Sequence, residues 1–253
     1  MLSVAEALAR VTGGFELIAS EHIGLSEALG RVLAEDVAAR LTQPPMAVSS
    51  MDGYAVRAAD VQTVPTMLTQ IGESQAGGRF EGTVGVGECA RIFTGAPLPD
   101  GADAVVIQEE TDVDGMQISI NENVSTGADI RPAGLDFRTG DVLLRAGKVL
   151  SARDIGLVAS MNVPWLYVRR RPRVAFIATG DEIVMPGDPI GPDQIISSNS
   201  LALGAFIRVL GGTPVNLGIA RDTKASLRKT LAGAKGADVL VTIGGASVGD
   251  YDL

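Results

Sequence analysis

One segment constrains this chain more than any other: the apolar run Val174-Ala-Phe-Ile-Ala-Thr179 stops on Gly180 and hands over two adjacent carboxylates, Asp181 and Glu182. Four to eight apolar residues bounded by glycine read as a strand buried on both faces, as in a parallel sheet. Ligands of open parallel sheets bind outside the carboxyl ends of the strands, so Thr179, Gly180, Asp181 and Glu182 are the first candidates for a ligand site. Strand and helix then alternate: a helix over Ser200–Leu210 closed by Gly211-Gly212, a strand at Val215–Leu217, a helix over Ala225–Ala234 and a strand at Val239–Ile243. This is parallel α/β arithmetic with right-handed crossovers.

The last of these strands runs into Gly244-Gly245-Ala-Ser247-Val-Gly249-Asp250-Tyr-Asp252. Gly244, Gly245, Ser247 and Gly249 read as a loop whose N–H groups approach an anion closely, because glycine has no Cβ to hold a ligand off. The same residues match the G-x-S-x-G nucleophile elbow, but that triad needs a histidine downstream, and the single histidine, His22, lies far upstream. Three strands with no helix after the last make an incomplete α/β layer, so the chain is expected to be a fragment of a longer protein. If it ended at Leu253 it is expected to be unstable or inactive, with a sheet edge and apolar helix faces left open.

At 253 residues the chain exceeds the usual domain of about 100 to 150 residues, so more than one core is expected. Ser3 and Glu6 have capping-box spacing and start a helix with Val4, Leu8 and Val11 on one face; Leu25 to Val37 reads as a second helical segment, broken by Gln43-Pro44-Pro45. Short apolar runs at Ala90–Phe93, Ala104–Gln108 and Met116–Ile120 alternate with Gly, Pro and Asp clusters, which predicts a β-rich module. Ser151 and Asp154 cap a further helix to about Asn162, and the basic stretch Arg169 to Arg173 reads as a solvated linker, one member of which could reach a phosphate. Taken alone, Asp52-Gly53 reads as a hairpin turn, Thr94-Gly-Ala-Pro97 as a strand end and Asp222 as a helix N-cap that can also face a phosphate. Asp103, Asp112, Asp114, Glu109 and Glu110 read as a solvated acidic face.

Charge and cysteine usage narrow the chemistry. A net charge of −9 and a pI near 4.7 argue against nucleic-acid and anionic-membrane partners, which need a basic face. With Cys89 and His22 the single residues of their types, no internal disulfide and no zinc cluster can form; any metal should be hard and oxygen-ligated, and Mg2+ is the natural candidate. The lack of an 18-residue apolar run and of a basic n-region predicts neither a membrane span nor a signal peptide, hence a cytoplasmic protein.

Read in order, Ser50-Met51-Asp52-Gly53-Tyr54-Ala55, Phe93-Thr94-Gly95-Ala96-Pro97-Leu98-Pro99, Ile130-Arg131-Pro-Ala-Gly134-Leu-Asp136, Thr179-Gly180-Asp181-Glu182, Leu217-Gly218-Ile219-Ala-Arg221-Asp222 and Gly244 to Asp252 resemble the molybdopterin molybdenumtransferase family, MoeA in bacteria and the gephyrin E domain in animals. The resemblance implies an elongated α/β plus mixed-β chain: a helical and extended domain over 1–48 and 145–171, an inserted β-rich module over 49–144, and an incomplete three-layer parallel α/β molybdopterin-binding domain over 172–253. It implies the last step of molybdenum cofactor assembly, Mg2+-dependent cleavage of adenylylated molybdopterin with insertion of molybdate into the dithiolene and release of AMP. It further implies a homodimer, with the molybdopterin adenylyltransferase and molybdoenzymes as partners. Asp52, Thr94, Asp136, Glu182, Asp222 and Asp252 match its functional positions. On that basis Glu182, Asp52, Thr94 and Asp136 are assigned to catalysis and Asp222 and Asp252 to magnesium, with Asp52 and Thr94 expected to close the pocket. The family's Pro-Gly-Lys-Pro segment, its Gly-Leu-Pro-Gly-Asn-Pro loop and its C-terminal β domain do not occur here. A related adenylyltransferase would share Thr179 to Glu182 but lack the Asp52 and Thr94 motifs, and a gephyrin-like scaffold would have no need of the carboxylates.

Overall fold

The computed structural model describes residues 2–244, and the chain divides into two compact units. One comprises Asp36–Leu144 and Gly156–Pro164; the other comprises Met1–Glu35, Arg145–Ile155 and Trp165–Leu253.

The first unit is built on a six-stranded sheet in the order Ala104–Ile107, Gly53–Val56, Glu88–Ile92, Thr66–Ser74, Gln117–Ile120, Thr111–Asp114. Every neighbouring pair is antiparallel except Thr66–Ser74 with Glu88–Ile92. All four residues of Gly53–Val56 are buried because both faces of the sheet are covered. Successive side chains point to opposite faces, so Tyr54 and Val56 join one cluster with Leu68, Ile118 and Ile120, while Ala55 joins Ile92, Ala96 and Val105 in the other. Each such isoleucine, wholly removed from water, contributes about 1.5–3 kcal/mol. Gly53 is needed where it stands: a Cβ there would lie 2.0 Å from the Val106 carbonyl oxygen on the neighbouring strand.

In the second unit Arg173–Thr179 is the middle of a three-stranded parallel sheet, between Thr213–Ala220 and Val239–Ile243. The helix Ser198–Val209 packs on the central strand, with Gly204 giving room for the buried ring of Phe176; Lys224–Leu231 packs on Thr213–Ala220. The same unit holds the antiparallel ribbon Ser20–Gly24 with Trp165–Arg169, and the helix Val4–Gly13. That helix carries its expected capping box: Glu6 N–H donates to Ser3 Oγ at 3.2 Å and Ser3 N–H to Glu6 Oε2 at 2.9 Å. Its apolar side chains Val4, Leu8 and Val11 stand exposed. Ser151 and Asp154 likewise cap Ala152–Ser160. No helix among the described residues is long and apolar enough to cross a membrane.

Three expectations need correction. Leu25 to Val37 is not a helix: after the 3-10 turn Leu25–Glu27 the chain bends at Gly30, at φ +72°, and pairs outward, with Leu33 N–H on the Lys148 carbonyl and Leu150 N–H on the Arg31 carbonyl. A tertiary strand partner overrides a helical apolar spacing here. Asp103 is not simply solvated, since its two oxygens accept from Ala58 N–H at 2.7 Å and from the Thr126 hydroxyl at 3.2 Å. The Arg169 to Arg173 stretch is no solvated linker; Arg169 donates to the Ile18 carbonyl and Arg170 pairs with Asp238.

Candidate functional site

The carboxyl edge of the parallel sheet gathers six of the residues singled out above. Thr179 ends the central strand in register with Ala220, and Gly180 N–H donates to the Ala220 carbonyl at 3.2 Å. Gly180 has φ +144° and a buried backbone; the Glu182 carboxylate lies over it, so that an added Cβ would meet Glu182 Oε2 at 2.4 Å. Gly244, φ +95°, closes the neighbouring strand end against Thr179, whose carbonyl and hydroxyl oxygens would each stand 3.0 Å from a Cβ there. Three carboxylates, Asp181, Glu182 and Asp222, are exposed on this edge.

A bulge explains why the adjacent strand delivers Asp222 to the same place. The pairing register shifts between Phe176 and Ala178, where Gly218 takes φ +86° and its N–H turns to Asn216 Oδ1 at 2.9 Å. Beyond Ala220 the helix N-cap is Thr223, whose hydroxyl oxygen accepts from Ser226 N–H at 3.2 Å. The expected N-cap role of Asp222 is therefore corrected. Relieved of capping, Asp222 accepts from Asp181 N–H at 3.3 Å, and Arg221 Nη1 donates to the Asp181 carbonyl at 2.7 Å. The Arg221-Asp222 pair thus holds the turn that carries Asp181 and Glu182.

The oxygen donors of this edge suit a hard cation. Among the described residues no three acidic, histidine or cysteine side chains are grouped to cage a metal ion. Mg2+ does not need such a cage, because it keeps several waters and is commonly held by one or two carboxylates together with substrate phosphates. Asp222 and Asp181 fit that mode. Gly245, Ser247, Gly249 and Asp252 lie outside the described residues.

The β-rich unit holds the other three candidates. Asp52 Oδ1 accepts from Thr94 N–H and from the Thr94 hydroxyl, both at 2.7 Å. The backbone hydrogen bond first and the hydroxyl second hold the Asp52 carboxyl below the ordinary aspartate range, with the nearby Arg91 charge adding to both. The hairpin-turn expectation for Asp52-Gly53 is corrected: Val48–Ser49 pairs with Ile130–Arg131, whereas Gly53 opens a strand that pairs with Glu88–Ile92 and Ala104–Ile107. Asp136 is paired with Arg131, Nη2 to Oδ1 at 3.0 Å, and both line a cleft of about 380 Å³ that Gly95, the residue after Thr94, also lines.

Arg91 is the residue that sequence reasoning missed. Its guanidinium donates to the Gly53 carbonyl at 3.1 Å and to Gln108 Oε1 at 2.7 Å, and it sits over the rings of Tyr54 and Phe93 at 5.1 and 4.9 Å. The available signal was the two-residue spacing of Arg91 and Phe93, which puts both on one face of a strand. Cys89 is excluded as a nucleophile, because burial pushes its thiol up to about 12.

Comparison with known proteins covers nearly the whole chain. Residues 2–162 match the family model described as MoeA N-terminal region (domain I and II), and residues 175–253 match that described as probable molybdopterin binding domain. The molybdopterin molybdenumtransferase of a Nostoc species is 39% identical over 92% of this chain and 55% of its own length, and that of Haemophilus influenzae 35% identical over 92% and 58%. A crystal structure of the molybdopterin biosynthesis MoeA protein of Pyrococcus horikoshii superposes with a TM-score of 0.83 at 34% identity, covering 96% of this chain and 63% of that one. The chain spans little more than half the length of the curated relatives it matches.

Proposed function

The chain belongs to the MoeA family of molybdopterin molybdenumtransferases, and from that premise we propose that it acts in molybdenum cofactor biosynthesis, cleaving adenylylated molybdopterin, transferring molybdate to the dithiolene and releasing AMP. The observation that carries this reading is the carboxyl edge of the parallel sheet, where the exposed Gly244 stands beside Thr179, and Glu182, lying over Gly180, is exposed together with Asp181 and Asp222. Glycines let a phosphate approach the main chain, and carboxylates in the same place bind a cation or move a proton.

Asp222, with Asp252, is assigned to hold magnesium, which when bound would neutralise the phosphate charge of the anhydride. Glu182 lies over Gly180 without a hydrogen-bond donor among the described residues, and is assigned to accept the proton that the attacking group loses. Thr179, Gly180, Asp181 and Gly244 are assigned to ligand binding, together with Gly245, Ser247 and Gly249. Asp52, Thr94 and Asp136 are assigned to catalysis in the β-rich unit. The bonded Asp52–Thr94 pair favours this reading over an adenylyltransferase-like one, in which neither residue would be called for. A cytoplasmic homodimer belongs to the same proposal, and the exposed Val4, Leu8 and Val11 supply apolar surface for it. So does a division into 1–48 with 145–171, 49–144 and 172–253, which limited proteolysis would test by cleavage near residue 172.

The test is AMP release from adenylylated molybdopterin with magnesium and molybdate, beside Glu182→Ala. Loss of a proton-transfer group typically costs roughly 10²–10⁴-fold in rate. Undiminished release in the variant would refute the role of Glu182; neither release nor molybdopterin binding by the folded chain would overturn the function.

A further inference from the structure

Five arginines converge at the amino edge of the parallel sheet, the end opposite the carboxylates. Two are tethered. Arg31, with a side chain only 8% exposed, pairs with Glu21 and donates to the Arg169 carbonyl at 2.8 Å. Arg170 donates to Asp238 Oδ2 at 2.7 Å, and this bond first, then Arg173 N–H, keeps the Asp238 carboxyl at about 2. Arg169 is used up on backbone, at the Ile18 carbonyl. The guanidinium groups of Arg171 and Arg173 donate no hydrogen bond among the described residues, although Arg173 lies in the field of Asp238.

Arg171 and Arg173 are exposed, yet they share a cleft with the tethered pair. Arg31, Arg170, Arg171 and Arg173 line a single cleft of about 540 Å³ with Thr213 and one acid, Glu21. Across this cleft and the one beside it, five arginines stand with three acids, Glu16, Glu21 and Asp238, on a chain whose net charge is −9. Arg31, Arg170 and Arg171 also line a second cleft of about 930 Å³, whose other walls include Phe15, Leu17, Leu210 and Val239. Phe15 and Leu17 are 60% and 83% exposed, so their apolar surface is available.

We propose that the two clefts form one binding site for a phosphorylated organic molecule of the nucleoside diphosphate class. Its phosphates sit on Arg171 and Arg173, with Arg31 and Arg170 beside them, and its planar body lies against Phe15 and Leu17. Guanidinium forks match phosphate oxygens two at a time; Arg171 and Arg173 have their forks unspent, and Arg31 and Arg170, already tethered, lose little freedom beside them. An acidic peptide would satisfy the arginines and leave the larger apolar cleft unexplained. The central strand separates this edge from the carboxylates by about 20 Å, taking its seven residues at about 3.3 Å each, so the proposal stands independently of the proposed reaction.

Calorimetric titration of the chain in magnesium-free, low-salt buffer with ADP, pyrophosphate and adenosine tests it. ADP should bind more tightly than either fragment. The double variant Arg171→Ala/Arg173→Ala, which removes no structural hydrogen bond, should weaken ADP roughly tenfold or more, as expected for lost hydrogen bonds to charged groups. Phe15→Ala should weaken ADP and leave pyrophosphate unchanged. Absence of binding by the folded wild-type chain would overturn the proposal, as would ADP binding of undiminished affinity in the folded arginine variant.

Discussion

The six-stranded sheet and the parallel sheet treat their candidate carboxylates in opposite ways. In the first, the strand Gly53–Val56 is buried on both faces, and Asp52 at its start is locked by two hydrogen bonds from Thr94. In the second, Val239–Ile243 alternates half-buried and exposed positions, and Glu182 rests on Gly180 with nothing donating to it among the described residues. A covered sheet over-determines the side chains at its rim. At the open carboxyl edge only Asp222 is held, by Asp181 N–H at 3.3 Å, and Glu182 is left free to change partners.

That contrast breaks or holds by measurement. Ile118→Ala, in the fully buried cluster, should cost about 3–5 kcal/mol in chemical denaturation, whereas Leu240→Ala, 45% exposed on the parallel sheet, should cost under about 1 kcal/mol; equal losses would erase the distinction. Gly53→Ala should cost about 2–3 kcal/mol, because its Cβ meets backbone that cannot move aside. At the open edge Gly180→Ala meets only the mobile end of Glu182, so the stability loss should be smaller, about 1 kcal/mol from its φ of +144°, while AMP release falls sharply as Glu182 is displaced. A loss at Gly180 matching that at Gly53 would mean the edge is as tightly determined as the covered sheet.

The last expected effect lies at the amino edge and is confined to acid pH. Asp238 has its carboxyl held at about 2, below the ordinary 3.8, so the stability it lends is complete above about pH 4 and is lost as pH falls through about 2. Asp238→Asn should flatten the thermal midpoint between pH 4 and 2 relative to wild type. An unchanged acid limb would show that the Arg170–Asp238 pair adds nothing to stability.

Much of this organisation was legible beforehand because it rests on local chemistry. The capping boxes at Ser3 and Ser151 need only residues three apart, and the run Val174–Thr179 needs only a continuous apolar strand ended by Gly180. Leu25 to Val37 failed for the converse reason, since its partners at Lys148 and Leu150 are over a hundred residues away and leave no trace in its own spacing. Asp222 was placed correctly at a helix start and given the neighbour's task, because Thr223 offers an equally good capping hydroxyl and only the backbone angles choose between them.

By itself, then, the sequence determined the type and order of the elements outside Leu25 to Val37, the parallel α/β character of the C-terminal region, the family and the oxygen-only donor set, all of which follow from patterns a few residues long or from composition. Only the tertiary structure decided that Asp52 is bound by Thr94, that Arg91 stands over Tyr54 and Phe93, that Arg221 and Asp222 brace the turn carrying Glu182, and that a stretch of arginines lines a cleft instead of a linker. The physical reason is distance along the chain: those contacts join residues that folding brings together through hydrogen bonds and charge, and no local pattern encodes the partner.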